Sequence, residues 1–256
     1  MTGLPRVCLV TAGGPHPAII ANALGEAFAP IDVVLESPES KFSFLRRRAR
    51  LNGVISTVGQ FATMALIVAM KRVRAARIRS LLAELNAVTR LRPEHRITRV
   101  ESVNSQAFVD AIQTLRPDVI VLCGCRIVEA RVISRMPSPL LNYHAGITPL
   151  YRGMNGGYWA LAEDDVENFG ATVHLVDRGV DTGAIVGQVR LAPVPGDAIW
   201  TYAYRQAAAS REMCVECVRR AANGTLRPRP PEGPSQQWFH PPIWKYVWTG
   251  FRKGVW

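Results

Sequence analysis

Pro117–Cys123 reads PDVIVLC and Leu140–Tyr143 reads LLNY, two apolar runs too short for helices. Runs of this length, bounded by turn residues, mark strands buried on both faces, as in a mostly parallel sheet. Upstream, Val7–Thr11 (VCLVT) is a further buried run that ends in the turn Ala12-Gly13-Gly14-Pro15, and Ile31–Leu35 and Thr98–Val100 read as two more strands. Helical spacing fills the gaps. His16–Phe28 carries it, Asn104 stands where a cap would open a helix to Leu115, and Arg126–Arg135 carries it again. Strand and helix alternate from Val7 to Tyr143, which predicts an α/β fold built on an open, mostly parallel, Rossmann-like sheet.

The second half changes character. Leu150–Asn155 reads as a loop, Tyr158–Glu163 as a short helix, and Ala171–Val176 and Ala184–Leu191 as strands joined by Asp177–Gly183. Ile199–Ala222 reads as one long helix. The tail beyond Gly224 is rich in Pro and aromatics and holds four of the six Trp, so it is expected to pack on the body or on a partner, including a second copy of the chain.

At 256 residues the chain fits one large or two small domains, and 48% hydrophobic with 20% charged residues excludes wholesale disorder. The net charge of +11 is local: ten Lys or Arg and no Asp or Glu lie between Lys41 and Arg79. Within that segment Leu51–Met70 carries no charge for twenty residues, the length that spans a bilayer, but Asn52, Ser56, Thr57, Gln60 and Thr63 make its first half polar. Three readings stay open: helices packed on the body, an in-plane helix on an anionic membrane surface, or a true span or nucleic-acid grip. Five cysteines do not make a disulfide framework, and the start MTGLPRVCLVTAGG lacks a leader's charged and apolar regions. The expected location is the cytoplasm, including the cytosolic face of a membrane. Cys214 and Cys217 form a CxxC in a helical pattern with no second ligand pair, so no metal site is expected.

The chemistry concentrates between Leu140 and Gln188. Alternation puts Asn142 and His144 on one face of a strand, at the carboxyl end where open α/β sheets bind ligands. An amide that donates to an oxygen beside an imidazole that moves a proton is a minimal acyl-transfer site. Asp181, in the Gly-flanked turn between two strands, supplies a fixed carboxylate. Tyr151, Arg152 and Asn155 follow the strand closely and read as either acceptor contacts or loop residues. Gly13 and Gly14 form neither a GxGxxG motif nor a P-loop, and read as either a tight turn or a phosphate contact of the substrate.

Asn142-x-His144, Leu150-Tyr-Arg-Gly153 and Val176-Asp-Arg-Gly-Val-Asp-Thr-Gly183 together resemble the folate-dependent formyltransferase family, over about Asn104 to Gln188. The resemblance implies an enzyme that passes a formyl group from N10-formyltetrahydrofolate to a small-molecule amine. It implies that Asn142 stabilises the oxyanion, His144 shuttles the proton and Asp181 positions it or relays a proton. It further implies a folate pocket made by Cys125, Arg126, Ile127 and Val128, closed by Asp177, Gly179 and Val180. The basic insert, about 41–90, has no counterpart in the family core, and no segment resembles the C-terminal barrel of the methionyl-tRNA enzymes. The expected acceptor is therefore an amino sugar linked to a nucleotide, with a hydroxyornithine-type amine, a lipid-linked amino sugar or methionyl-tRNA as alternatives. A non-catalytic, membrane-associated binding protein on the same fold is the alternative of another class. The division expected is a formyltransferase-like domain over 1–192, followed by a C-terminal helix and tail over 193–256.

Overall fold

The computed structural model describes residues 3–256; within the basic segment, the side chains of Lys41–Leu45 and Arg47 lie outside the described residues. The leader reading at Met1 and Thr2 also falls outside them. The chain runs β1 (Val7–Thr11), α1 (Pro15–Phe28), β2 (Asp32–Glu36), then three insert helices α2 (Lys41–Asn52), α3 (Val54–Val73) and α4 (Ala75–Glu84). It continues with β3 (Arg96–Val100), α5 (Gln106–Leu115), β4 (Val119–Leu122), α6 (Ala130–Ile133) and β5 (Leu140–His144). Next come β6 (Arg152–Gly153), α7 (Gly156–Ala162), β7 (Gly170–Leu175) and β8 (Ile185–Arg190). The chain closes with α8 (Tyr202–Ala209), α9 (Arg211–Ala222), β9 (Gln237–Trp238) and α10 (Ile243–Lys253).

Among the described residues the main sheet has seven strands in the order β3-β2-β1-β4-β5-β7-β8. The first five are parallel, and β7 and β8 join antiparallel. The alternation read from the sequence is the alternation of faces. Val7 and Leu9 of β1 pack with Ile20 and Leu24 of α1 and with Cys214 and Val218 of α9. Cys8 and Val10 point the other way, onto Phe108, Val109 and Ile112 of α5. Apolar side chains thus cover both faces, which is why the runs lack polar alternation. Chain order reverses across β1 and β4, and the carboxyl ends there open a crevice.

Three elements differ from the sequence reading. The helix before β4 is capped by Ser105, whose Oγ accepts from the Phe108 N–H at 3.2 Å, not by Asn104. Asn104 instead accepts from the Glu129 N–H at 2.8 Å and donates to the Ile127 carbonyl at 2.9 Å. Those bonds explain the second difference: 126–129 has no regular structure and only Ala130–Ile133 is helical, because its backbone groups are already engaged across the loop. Third, Ile199–Ala222 is two helices, not one. Ser210 is fully buried and its Oγ donates to the Gln206 carbonyl at 2.6 Å, competing with the backbone where the helix breaks.

The tail packs on the body. Gln237–Trp238 pairs with Arg152–Gly153, Trp238 stacks on Trp159 with centroids 4.4 Å apart, and the Trp159 indole N–H donates to the Phe239 carbonyl at 2.8 Å. Cys214 and Cys217, the CxxC, are spent as apolar packing in the core under α9.

Candidate functional site

The carboxyl ends of β4 and β5 and the turn between β7 and β8 surround a cavity of about 660 Å³. Asn142, His144 and Asp181 meet there. Asn142 stands opposite His174 in the β5–β7 register, so the two side chains share a face. The Asn142 amide donates to Asp181 Oδ1 at 3.0 Å and lies 3.0 Å from His174 Nε2. His174 Nδ1 lies 2.7 Å from the Leu175 carbonyl, and its Nε2 also lies 3.4 Å from Asp181 Oδ1. His144 sits between two acceptors: Nε2 is 2.7 Å from the Tyr151 carbonyl and Nδ1 is 3.4 Å from Asp181 Oδ2. A proton arriving at Nδ1 is therefore met by a carboxylate.

Asp181 holds φ at 53°, a left-handed conformation that Asp tolerates, and this aims its carboxylate back at β5. The turn is tied by Asp177, which accepts from the Gly179 N–H at 3.0 Å and the Thr182 hydroxyl at 2.7 Å. Burial pushes the Asp181 carboxyl up, but His144, His174 and the Gly153 N–H (2.8 Å) outweigh it and hold the group well below its ordinary 3.8. A carboxylate with a depressed value adds stability above its unfolded pKa and loses it as the pH falls through the folded one. Thermal unfolding of the wild type and of Asp181→Asn is expected to differ at pH 7 and to converge as the pH falls from about 4 towards 2. A gap unchanged by pH would contradict that charge assignment.

All seven residues expected around a folate line this cavity, but two spend their side chains elsewhere. The Asp177 carboxylate is used inside its own turn. The Arg126 guanidinium donates to the carbonyls of Ser37 (2.7 Å) and Glu101 (3.0 Å) and pairs with Glu36 at 3.1 Å. The Glu36 side chain is fully buried and also accepts from the Arg126 and Val103 N–H groups. This ion pair clamps β2, β3 and the β4 turn together. Removing one partner of a buried pair strands the other charge. Arg126→Met is expected to cost about 3 kcal/mol in urea unfolding, and a loss under about 1 kcal/mol would remove the clamp from the account.

The acceptor candidates fare unevenly. Asn155 lines the cavity and donates to His240 Nδ1 at 2.8 Å. Tyr151 does not face it: the ring is buried and its hydroxyl donates to Asp165 at 2.8 Å, so only its carbonyl serves the site. Arg152 turns to the Val180 carbonyl (2.7 Å) and Ser235 (2.9 Å), holding the Asp181 turn from behind. Gly13 and Gly14, at φ 87° and 110°, make the tight turn after β1 and lie outside the cavity wall. Residues not anticipated from the sequence complete the wall: Arg48 and Leu51 from α2, Trp238 and Phe239 from the tail, and His174. His174 had a signal in its antiparallel pairing to Asn142. The others come from segments distant in sequence. His16 also borders the cavity, and burial with Lys71 nearby pushes it down to about 4, so it is neutral at pH 7.

A sequence model described as formyl transferase matches residues 44–218, beginning inside the basic insert. The methionyl-tRNA formyltransferase of Chlorobium chlorochromatii (strain CaD3) is 32% identical over 126 residues, covering 49% of this chain and 40% of the relative. The chain thus spans well under two thirds of that relative. Among solved structures, a sugar N-formyltransferase from Shewanella sp FDAARGOS_354 superposes with TM-score 0.58 at 14% identity, covering 91% of this chain and 76% of its own. An N-formyltransferase from Helicobacter canadensis, in complex with folinic acid and dTDP-3-aminofucose, gives 0.55 at 15% identity, covering 92% and 71%. At these identities the likeness shows the fold.

Proposed function

Because the chain belongs to the formyl transferase family, we propose that it moves a formyl group from N10-formyltetrahydrofolate to the amine of a small molecule, an amino sugar carried on a nucleotide. The observation that carries the reading is the meeting of Asn142, His144 and Asp181 within hydrogen-bonding reach at the edge of one cavity. The sugar acceptor is supported by the names of two of the structural neighbours, one of which was solved with a nucleotide-linked aminosugar.

The wall fits a folate. Leu122, Ile127, Val128 and Val180 offer apolar faces for a flat ring, beside main-chain groups of the β4 turn and of the Asp177–Asp181 segment. The donor supplies the formyl carbon that an amine attacks. Asn142 then turns one amide N–H from Asp181 to the formyl oxygen as negative charge builds on it. His144 takes the proton released by the amine at Nδ1, with Nε2 held by the Tyr151 carbonyl and Asp181 stabilising the imidazolium, and returns that proton to the donor nitrogen as its bond to the formyl carbon breaks and tetrahydrofolate leaves. Gly153, Arg152 and Asp177 keep the carboxylate in place through its turn.

The reading is tested by incubating the protein with N10-formyltetrahydrofolate and a set of nucleotide-linked amino sugars, followed by mass spectrometry. The expected result is a product heavier by one formyl group, formed on free amines and absent on their N-acetyl forms. Donor consumed with no formylated sugar from any member of the set would overturn the acceptor assignment.

A further inference from the structure

Helix α3 is apolar on its outside, and the inner side of its first half is polar, with Leu66 and Ile67 packing on the body further along. Its buried positions are Thr57, Gly59, Gln60 and Thr63, whereas Val54, Ile55, Val58 and Val68 are exposed, with Ile55 at 79%. Ala62, Ala65 and Ala69 continue the exposed stripe, so for most of the helix's length nothing polar faces outward. A helix in water carries the opposite pattern. The buried polar groups are satisfied locally: Thr57 and Thr63 donate to the carbonyls of Gly53 and Gly59, and Gln60 to Ser56. Only 22% of the most apolar window of Val54–Val73 is buried.

Helix α10 extends this face. Its Trp244 ring lies on Gly59, where a Cβ would collide with it. Trp244, Trp248 and Phe251, spaced along one side of α10, are 52%, 64% and 79% exposed. Lys245 and Lys253 beside them pair with Glu163 and Asp164, so the aromatic side carries no unpaired acid from that neighbouring loop. The apolar stripe is bracketed by exposed Arg46 and Arg50 at one end and by Arg72, Arg74, Arg77 and Arg79 at the other; of these Arg77 is paired, with Glu84.

We propose that the outer faces of α3 and α10 form a docking surface for an anionic lipid bilayer, with α3 lying in the plane of the membrane. Exposed apolar residues between basic flanks, with tryptophans at the rim, match the interfacial zone of a membrane whose lipids are negatively charged. Charge decides against a second copy: two-fold pairing of antiparallel α3 stripes would set the Arg46–Arg50 flank of one against the Arg72–Arg79 flank of the other. A span is disfavoured because Thr57, Gln60 and Thr63 are already packed against the protein. Leu51, at the start of the stripe, also lines the cavity, so docking would bring the mouth of the site to the bilayer. The proposal rests on this surface and not on the formyl acceptor.

The test is co-sedimentation of the full chain with vesicles of phosphatidylglycerol and phosphatidylcholine, against vesicles of phosphatidylcholine alone. Binding is expected to be at least about tenfold stronger to the anionic vesicles and to weaken in high salt. The exposed quadruple variant Ile55→Ser, Val58→Ser, Trp248→Ser, Phe251→Ser should fold, keep its turnover of a soluble acceptor, and bind anionic vesicles at least about tenfold less. Failure of the folded wild type to bind anionic vesicles would overturn the proposal, as would equal binding by the variant. A wild-type dimer that the same four changes convert to monomer, without vesicle binding, would reassign the surface to self-association.

Discussion

His144→Ala is expected to lower kcat for formyl transfer by about 10²–10⁴-fold, the range for removing a positioned general acid–base group. The Tyr151 carbonyl at 2.7 Å holds one ring nitrogen and leaves the other, 3.4 Å from the Asp181 carboxylate, to take up the proton. The folate wall is made by other segments, and Asp181 keeps Asn142, His174 and the Gly153 N–H as partners in the variant. KM for the donor should therefore stay within a few-fold while kcat collapses, the split expected when a group acts mainly in the transition state. Steady-state kinetics with a formylated acceptor measures both. A loss of less than about tenfold in kcat would remove His144 from the proton path.

Asn142→Ala should cost about 10²–10³ in kcat, the range for deleting one donor to a developing oxyanion. Its amide donates to Asp181 Oδ1 and lies 3.0 Å from His174 Nε2, so the N–H that turns to the substrate starts from a fixed position. Asn142→Asp should be at least as damaging. It replaces a donor with a second carboxylate about 3 Å from Asp181, where like charges cannot both ionise cheaply. The pH profile separates the two variants: the aspartate should recover part of its activity as the pH falls and its carboxyl takes up a proton, and the alanine should not. Parallel pH profiles would contradict the oxyanion role.

The sheet was legible because its strands are buried on both faces. Val7–Val10 and Val119–Cys123 lack polar residues for that reason, and the boundaries read from the sequence fall within a residue or two of the observed strands. The shared face of Asn142 and His144 followed from strand alternation and Asp181 from its Gly-flanked turn, and the resemblance added the roles of the three and the folate wall. What could not be read depends on contacts remote in sequence. Arg126–Glu129 has helical spacing, yet bonds from its backbone to Glu36 and Asn104 keep it out of the helix. Tyr151 and Arg152 sit next to the site in sequence, but Asp165 and Ser235 draw their side chains away. Arg48, Trp238 and Phe239 reach the cavity only because the insert and the tail fold back across it. Among the alternatives for the basic segment, Thr57, Gln60, Thr63, Leu66 and Ile67 pack on the body, whereas Val54, Ile55, Val58 and Val68 stay exposed.

The most direct measurement is calorimetric titration of the full chain with a non-hydrolysable analogue of N10-formyltetrahydrofolate. One site per chain with micromolar or tighter affinity is expected, retained in His144→Ala and weakened when Val128 or Val180 in the cavity wall is changed to Asp. A folded chain that takes up no analogue would contradict the central claim, leaving the fold and the residue cluster without the donor they are proposed to serve.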